Sequence, residues 1–249
     1  MALAEEQLKV STEPAAVSAI QGVLVGLYSN PVYAFKLETL VGEIYDPATM
    51  KFTEYLNVLE AAASAEAWSL MDEQCEVALK KANAETFAAD YPDREFSDEE
   101  TATAGRNREG MILTYVGWST ANQGDARKAV GHYKKAESKL RPSFAGVPTN
   151  ELYRYWGQTL LMRDDAEEGL GKLTLAAIYG GDDEADEIAR KIFADTRPSE
   201  TYDDYTWNLR REYGPEMVDF SATDYQDATR TFHELKGRKA TLVAFWFPT

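Results

Sequence analysis

Cysteine is almost missing from this sequence: Cys75 is the only one in 249 residues. A single thiol excludes an internal disulfide and a cysteine-rich metal site. The residues before it, Ser69-Leu70-Met71-Asp72-Glu73-Gln74, fall in a helical pattern and supply carboxylates rather than an activating cation. Cys75 therefore reads as a small, apolar, partly buried residue rather than a reactive one. Histidine is scarce as well, and His132 and His233 are too far apart in sequence to suggest a zinc site. No apolar run approaches the roughly 20 residues of a membrane helix. The best stretch, 15–28, carries Ser18 and Gln21 and follows acidic residues, so neither a membrane span nor a signal peptide is expected. Positive charge is short too: 26 Lys and Arg stand against 42 Asp and Glu, a net charge of -16. Such a surface repels phosphates, which disfavours nucleic acid as a partner.

Signatures of catalysis are missing in the same way. Gly169-Leu170-Gly171 lies inside a helical pattern with no strand before it, so it is not a phosphate loop. Gly-x-Ser-x-Gly does not occur, and paired carboxylates mean little in so acidic a chain. No catalytic residue, cofactor or metal is assigned.

What the sequence does contain is helix grammar. Val17, Ile20, Leu24 and Leu27 repeat at spacings of 3, 4 and 3, with Pro14 suited to a first turn, which predicts a helix over 14–27. Asn30-Pro31 breaks it, and 32–44 gives a second pattern ending near Asp46-Pro47. The Ala-, Leu- and Glu-rich stretch 52–89 reads as one very long helix or two joined near Ala63-Ser64. Ser97 and Glu100 form a capping box, so a helix starts there, although Gly105 and Gly110 leave its length open. A further helix is expected over 183–193. The acidic run 182–187 before and within it lacks the oxygen-ligand spacing of a calcium loop and fits a first helical turn instead.

The most informative region is 111–194. Around Gly117, the residues Leu113, Gly124, Asp125, Ala129, Tyr133 and Ala136 fall at offsets of -4, +7, +8, +12, +16 and +19. Small residues at Gly117 and Ala129 let two antiparallel helices approach, Gly124-Asp125 turns the chain, and Tyr133 fills the space beside the gap. The register recurs 40 residues later with Tyr153, Gly157, Gly169, Leu173 and Ala176, Asp164-Asp165 at the turn and Glu167 completing a capping pair.

This pattern resembles the tetratricopeptide repeat, whose period is about 34 residues, with a short insertion over 143–148 between the copies. The clearest copies are 111–142 and 151–179, and no register can be fixed in the earlier helices. The resemblance implies an all-α fold of antiparallel helical hairpins, an α-solenoid, over residues 1–214, with a short carboxy-terminal β-forming segment. It implies a non-catalytic module that docks a protein or peptide. Carried onto this register, the family's groove would be lined by Trp118, Asn122, Arg154 and Gln158. An ordinary pair of helical hairpins is the plainer reading, and an oligomerising scaffold is a further alternative.

From Tyr213-Gly214-Pro215 onward the grammar changes. Asp219-Phe220, then Leu235-Lys236-Gly237-Arg238-Lys239, lead into the apolar run 240–249 with Phe245-Trp246. This resembles the opening of redoxin-type thioredoxin-like domains, in which a pair of cysteines follows at once. The resemblance implies that 215–249 is an incomplete start of such a domain, and that a complete parent would be a disulfide oxidoreductase. Residues after about 217 are then expected to be mobile or packed opportunistically. The resemblance implies an exported parent, and Ala2-Leu3-Ala4 resembles residues at a signal-cleavage site, so a periplasmic or exported location is expected, otherwise a cytoplasmic one.

Overall fold

The computed structural model describes residues 2–45, 50–141, 150–213, 221–223 and 229–231. Those residues are mostly helical. The helices are α1 (Ala2–Val10), α2 (Pro14–Leu27), α3 (Ala34–Ile44), α4 (Phe52–Ser64), α5 (Trp68–Lys81), α6 (Ala84–Asp90), α7 (Asp98–Asn122), α8 (Ala126–Lys139), α9 (Asn150–Leu161), α10 (Ala166–Gly180), α11 (Asp183–Thr196) and α12 (Tyr202–Tyr213). A short 3-10 turn, Pro31–Tyr33, precedes α3. None of the described helices is long and apolar enough to cross a membrane. By contacts the chain divides into two compact units, Met1–Trp207 and Asn208–Thr249.

Several boundaries follow from local chemistry. Helix α2 starts on Pro14 as expected. Helix α7 starts at the Ser97 capping box, where the Glu100 N–H donates to Ser97 Oγ and the Ser97 N–H donates back to Glu100 Oε2 at 2.8 Å. It then runs unbroken for 25 residues through Gly105 and Gly110. Both glycines are needed for close approach. A Cβ on Gly105 would lie 2.7 Å from the Ala84 backbone nitrogen, and one on Gly110 would lie 2.8 Å from the Leu140 side chain.

The stretch 52–89 is neither one helix nor two but three: α4, α5 and α6. The break falls at 65–67, just past the expected joint, and Asn83 starts α6 by accepting from the Thr86 N–H at 3.0 Å. Helix α1, not anticipated from the sequence, is tied down by Glu5, which accepts from the Tyr28 hydroxyl at 2.5 Å and from Lys36 at 2.7 Å.

A single turn geometry recurs at three places. Glu66, Gly124 and Asp164 have φ of 56°, 96° and 60°, the left-handed conformation that closes a helix. In each case the next residue donates its N–H to a carbonyl five positions back: Ala67 to Ala62 at 2.9 Å, Asp125 to Thr120 at 3.1 Å, and Asp165 to Leu160 at 3.0 Å. The following helix then begins at Trp68, Ala126 or Ala166. Twelve positions beyond each left-handed residue stands a wholly buried alanine: Ala78, Ala136 and Ala176. Nine positions beyond stand Cys75, Tyr133 and Leu173, also buried. Cys75 thus fills the core of the first hairpin at the place that Tyr133 fills in the second.

The hairpins α7–α8 and α9–α10 are antiparallel. Gly110 faces Leu140 while Gly117 faces Tyr133, and Leu161 faces Gly169 while Gly157 faces Leu173. The Asp125 carboxylate caps α8 by accepting from the Lys128 N–H at 2.9 Å. At the next turn one expectation is corrected. Asp165 caps the Glu168 N–H, whereas the Glu167 carboxylate is taken by Arg197 of the α11–α12 link and completes no capping pair. Helices α4, α7 and α9, the first members of the three hairpins, lie side by side, α4 against α7 and α7 against α9.

In the second unit the described strands β1 (Ser221–Thr223) and β2 (Thr229–Thr231) pair antiparallel, with Ala222 opposite Arg230. The expected β segment 240–249, the redoxin-like motif, the mobility or opportunistic packing expected after 217, and His233 lie outside the described residues or rest mainly on residues that do.

Candidate binding groove

The recurring turn gives a common register to α4, α7 and α9. Six positions before the left-handed residue stand Glu60, Trp118 and Gln158, and ten before it stand Leu56, Thr114 and Arg154. Of these six, Glu60, Leu56 and Thr114 line a common cavity. Where α4, α7 and α9 come together they enclose a cavity of about 220 Å³. Its lining is Leu56, Asn57 and Glu60 from α4, Met111, Thr114 and Tyr115 from α7, and Glu151 and Leu152 from α9. A second cavity of about 350 Å³, running from α4 to Gly22 and Val25 of α2 and to Tyr45, shares Asn57 and Glu60 with the first. The two together make an elongated depression with Glu60 at its middle.

The floor is apolar and the edge is acidic. Leu152 and Thr114 are fully buried, and the Thr114 hydroxyl is spent on its own helix, donating to the Gly110 carbonyl at 3.0 Å. Glu60 is exposed and Glu151 half-buried, and among the described residues neither carboxylate pairs with a lysine or arginine. Tyr115 is only 6% exposed, its ring edge-on to Tyr155 at 6.0 Å, and its hydroxyl has no hydrogen-bond partner among the described residues. Burial pushes that hydroxyl's pKa well above its ordinary value, the neighbouring Tyr155, Glu151 and Glu60 push it the same way, and the Arg154 cation opposes them. Tyr155 is likewise pushed up to about 12, chiefly by burial.

The four residues expected to line a groove sit on the same helices, with different duties. Trp118 is half-buried, stacked on Tyr155 at 4.5 Å and edge-on to Trp68 at 6.4 Å, so its ring ties α5, α7 and α9 together. Asn122 donates to the Trp118 carbonyl at 2.9 Å. Arg154 lies over the Tyr155 ring, with Nη1 2.9 Å from Glu184 and Nε 3.2 Å from Asp182, off the line of its N–H. Its charge is thereby spent on the α10–α11 corner, where Asp182 also caps α11 by accepting from the Ala185 N–H at 3.0 Å. Gln158 is half-buried, and its side chain makes no hydrogen bond among the described residues. Sequence reasoning missed Glu60, Tyr115 and Glu151. The signal that finds them is the register of α4, which becomes readable once Glu66 is recognised as the counterpart of Gly124.

A third cavity, about 470 Å³, is lined by α5, α7 and α8 and includes Cys75 and His132. Of its three carboxylates, Asp72 is occupied by the Ser119 hydroxyl at 2.6 Å and the Gln123 amide at 2.8 Å, Glu76 by Lys80 and Asp125 by the Lys128 N–H. The Cys75 thiol is pushed well above its ordinary value by burial and by Asp72, which removes the thiolate that reactivity requires. His132 is held below its ordinary value by burial and by Lys128 and Lys135. Among the described residues no three His, Cys, Asp or Glu side chains gather as metal ligands would. Set against known protein families, curated proteins and solved structures, the chain matches none of them.

Proposed function

We propose that residues 1–214 form a tetratricopeptide-like binding module that holds an extended protein or peptide segment against α4, α7 and α9. The observation that carries this reading is the turn shared by Glu66, Gly124 and Asp164. It puts three hairpins in one register, and their first helices pack α4 against α7 and α7 against α9, which supports a shared binding face of the kind helical-repeat proteins build. The residues along that surface are apolar or hydrogen-bonding rather than paired nucleophiles and bases, which favours recognition over chemistry.

The test is selection of peptides from a random display library against the whole chain, followed by affinity measurements on the winners. Gln158→Trp, which adds bulk to the surface without removing a side-chain hydrogen bond, is expected to weaken them by at least tenfold, roughly 1.4 kcal/mol. Lys191→Glu, on an exposed face of α11, is expected to leave them unchanged. Equal affinity for Gln158→Trp and the wild type would remove the reading.

A further inference from the structure

We propose that the cavity between α4, α7 and α9 seats a lysine or arginine side chain of the bound segment, with the carboxylates of Glu60 and Glu151 flanking its charge. The inference rests on the binding reading above and adds the chemistry of the partner. Three observations carry it. First, Glu60 and Glu151 line the same cavity and neither meets a cation among the described residues, although Arg154 stands on the same helix as Glu151. Arg154 cannot serve, because Asp182 and Glu184 already hold it.

Second, the almost fully buried Tyr115 lines this cavity with an unpartnered hydroxyl, whose oxygen can accept from a cationic N–H. The ring is buried while the hydroxyl stays open to the cavity, where an entering N–H can reach it.

Third, size selects the occupant. At about 220 Å³ the cavity is below the roughly 300–1,000 Å³ of pockets that enclose a whole small molecule, so it fits one side chain. Leu56, Met111 and Leu152 give its walls the apolar surface that a lysine or arginine stem covers while the charged end reaches the rim. The adjoining cavity on the far side of Glu60 leaves room for the next part of an extended chain.

The experiment is fluorescence anisotropy at physiological salt, using labelled Ser-Lys, Ser-Gln and Ser-Glu alternating peptides of equal length. The wild type is expected to bind only the Ser-Lys peptide. Glu60→Gln with Glu151→Gln is expected to weaken that binding at least tenfold, about 1.4 kcal/mol. Glu38→Gln with Glu43→Gln, an equal charge change on exposed positions of α3, is expected to change it less than about twofold. Tyr115→Phe is expected to cost about threefold, the worth of one hydrogen bond. Unchanged melting temperatures would confirm that the glutamine variants fold. Failure of the Ser-Lys peptide to bind, or equal weakening by both glutamine pairs, overturns the inference. If the Ser-Gln or Ser-Glu peptide binds and Gln158→Trp weakens it, the groove reading survives and the cation inference alone falls.

Discussion

The ring of Tyr133 occupies the space where a side chain on Gly117 would begin: a Cβ there would lie 2.5 Å from Tyr133 Cε1. Tyr133 has nowhere to go, being wholly buried with its hydroxyl 3.0 Å from Thr159 Oγ1 of α9. Gly117→Ala is therefore expected to destabilise the protein by about 1–3 kcal/mol, the usual cost of overpacking. Gly131 on α8 has open space where its Cβ would point. Gly131→Ala should stabilise by about 0.5–1 kcal/mol through helix propensity. Urea unfolding of the two variants should move in opposite directions, and a shared direction would contradict this account of the hairpin.

That relationship was legible before the structure because it is local: Gly117, the turn at Gly124-Asp125 and Tyr133 fall within 17 residues. The Ser97–Glu100 box and the start of α2 on Pro14 were legible for the same reason. The first hairpin was not. Its left-handed residue is Glu66 rather than glycine, and Ala67 after it has no capping side chain. Leu59 before it and Ala78 after it are wholly buried, and neither residue carries a turn signal. The duty of Arg154 was hidden because its partners, Asp182 and Glu184, come from another hairpin.

Arg108 on α7 offers a test of buried charge. Its Nη2 lies 2.6 Å from Asp90 Oδ2, and its guanidinium sits over the rings of Phe52 and Phe87 at 4.5 and 5.0 Å. Asp90→Ala leaves that cation without its counter-charge and is expected to cost about 3 kcal/mol in chemical denaturation. Combining it with Arg108→Met should recover most of the loss, since an apolar pair needs no desolvation offset. A double variant as unstable as Asp90→Ala would contradict this.

Alkaline pH should unfold the protein through its tyrosines. Burial pushes the hydroxyls of Tyr115 and Tyr133 well above their ordinary value of 10.0, and Tyr155 to about 12. A folded-state pKa raised above the unfolded one means that the folded state keeps its proton longer. Stability is then fully present below pH 10 and declines as pH rises through about 12. Urea midpoints should fall over that window together with the appearance of tyrosinate absorbance. Tyr155→Phe should flatten the decline, whereas an unchanged slope would assign it to other groups.

The recurring turn also says where this chain can change length. From Glu66 to Gly124 is 58 positions and from Gly124 to Asp164 is 40, yet each left-handed residue stands the same 12 positions before its buried alanine. The spacing between hairpins differs while the count inside them is the same. At 3.6 residues per turn, one deletion between Asp125 and Ala136 would rotate the rest of α8 by about 100° and swing Ala136 out of the core. Added or deleted residues are thus expected to be tolerated in the links, and inside a hairpin they are expected to break its phase.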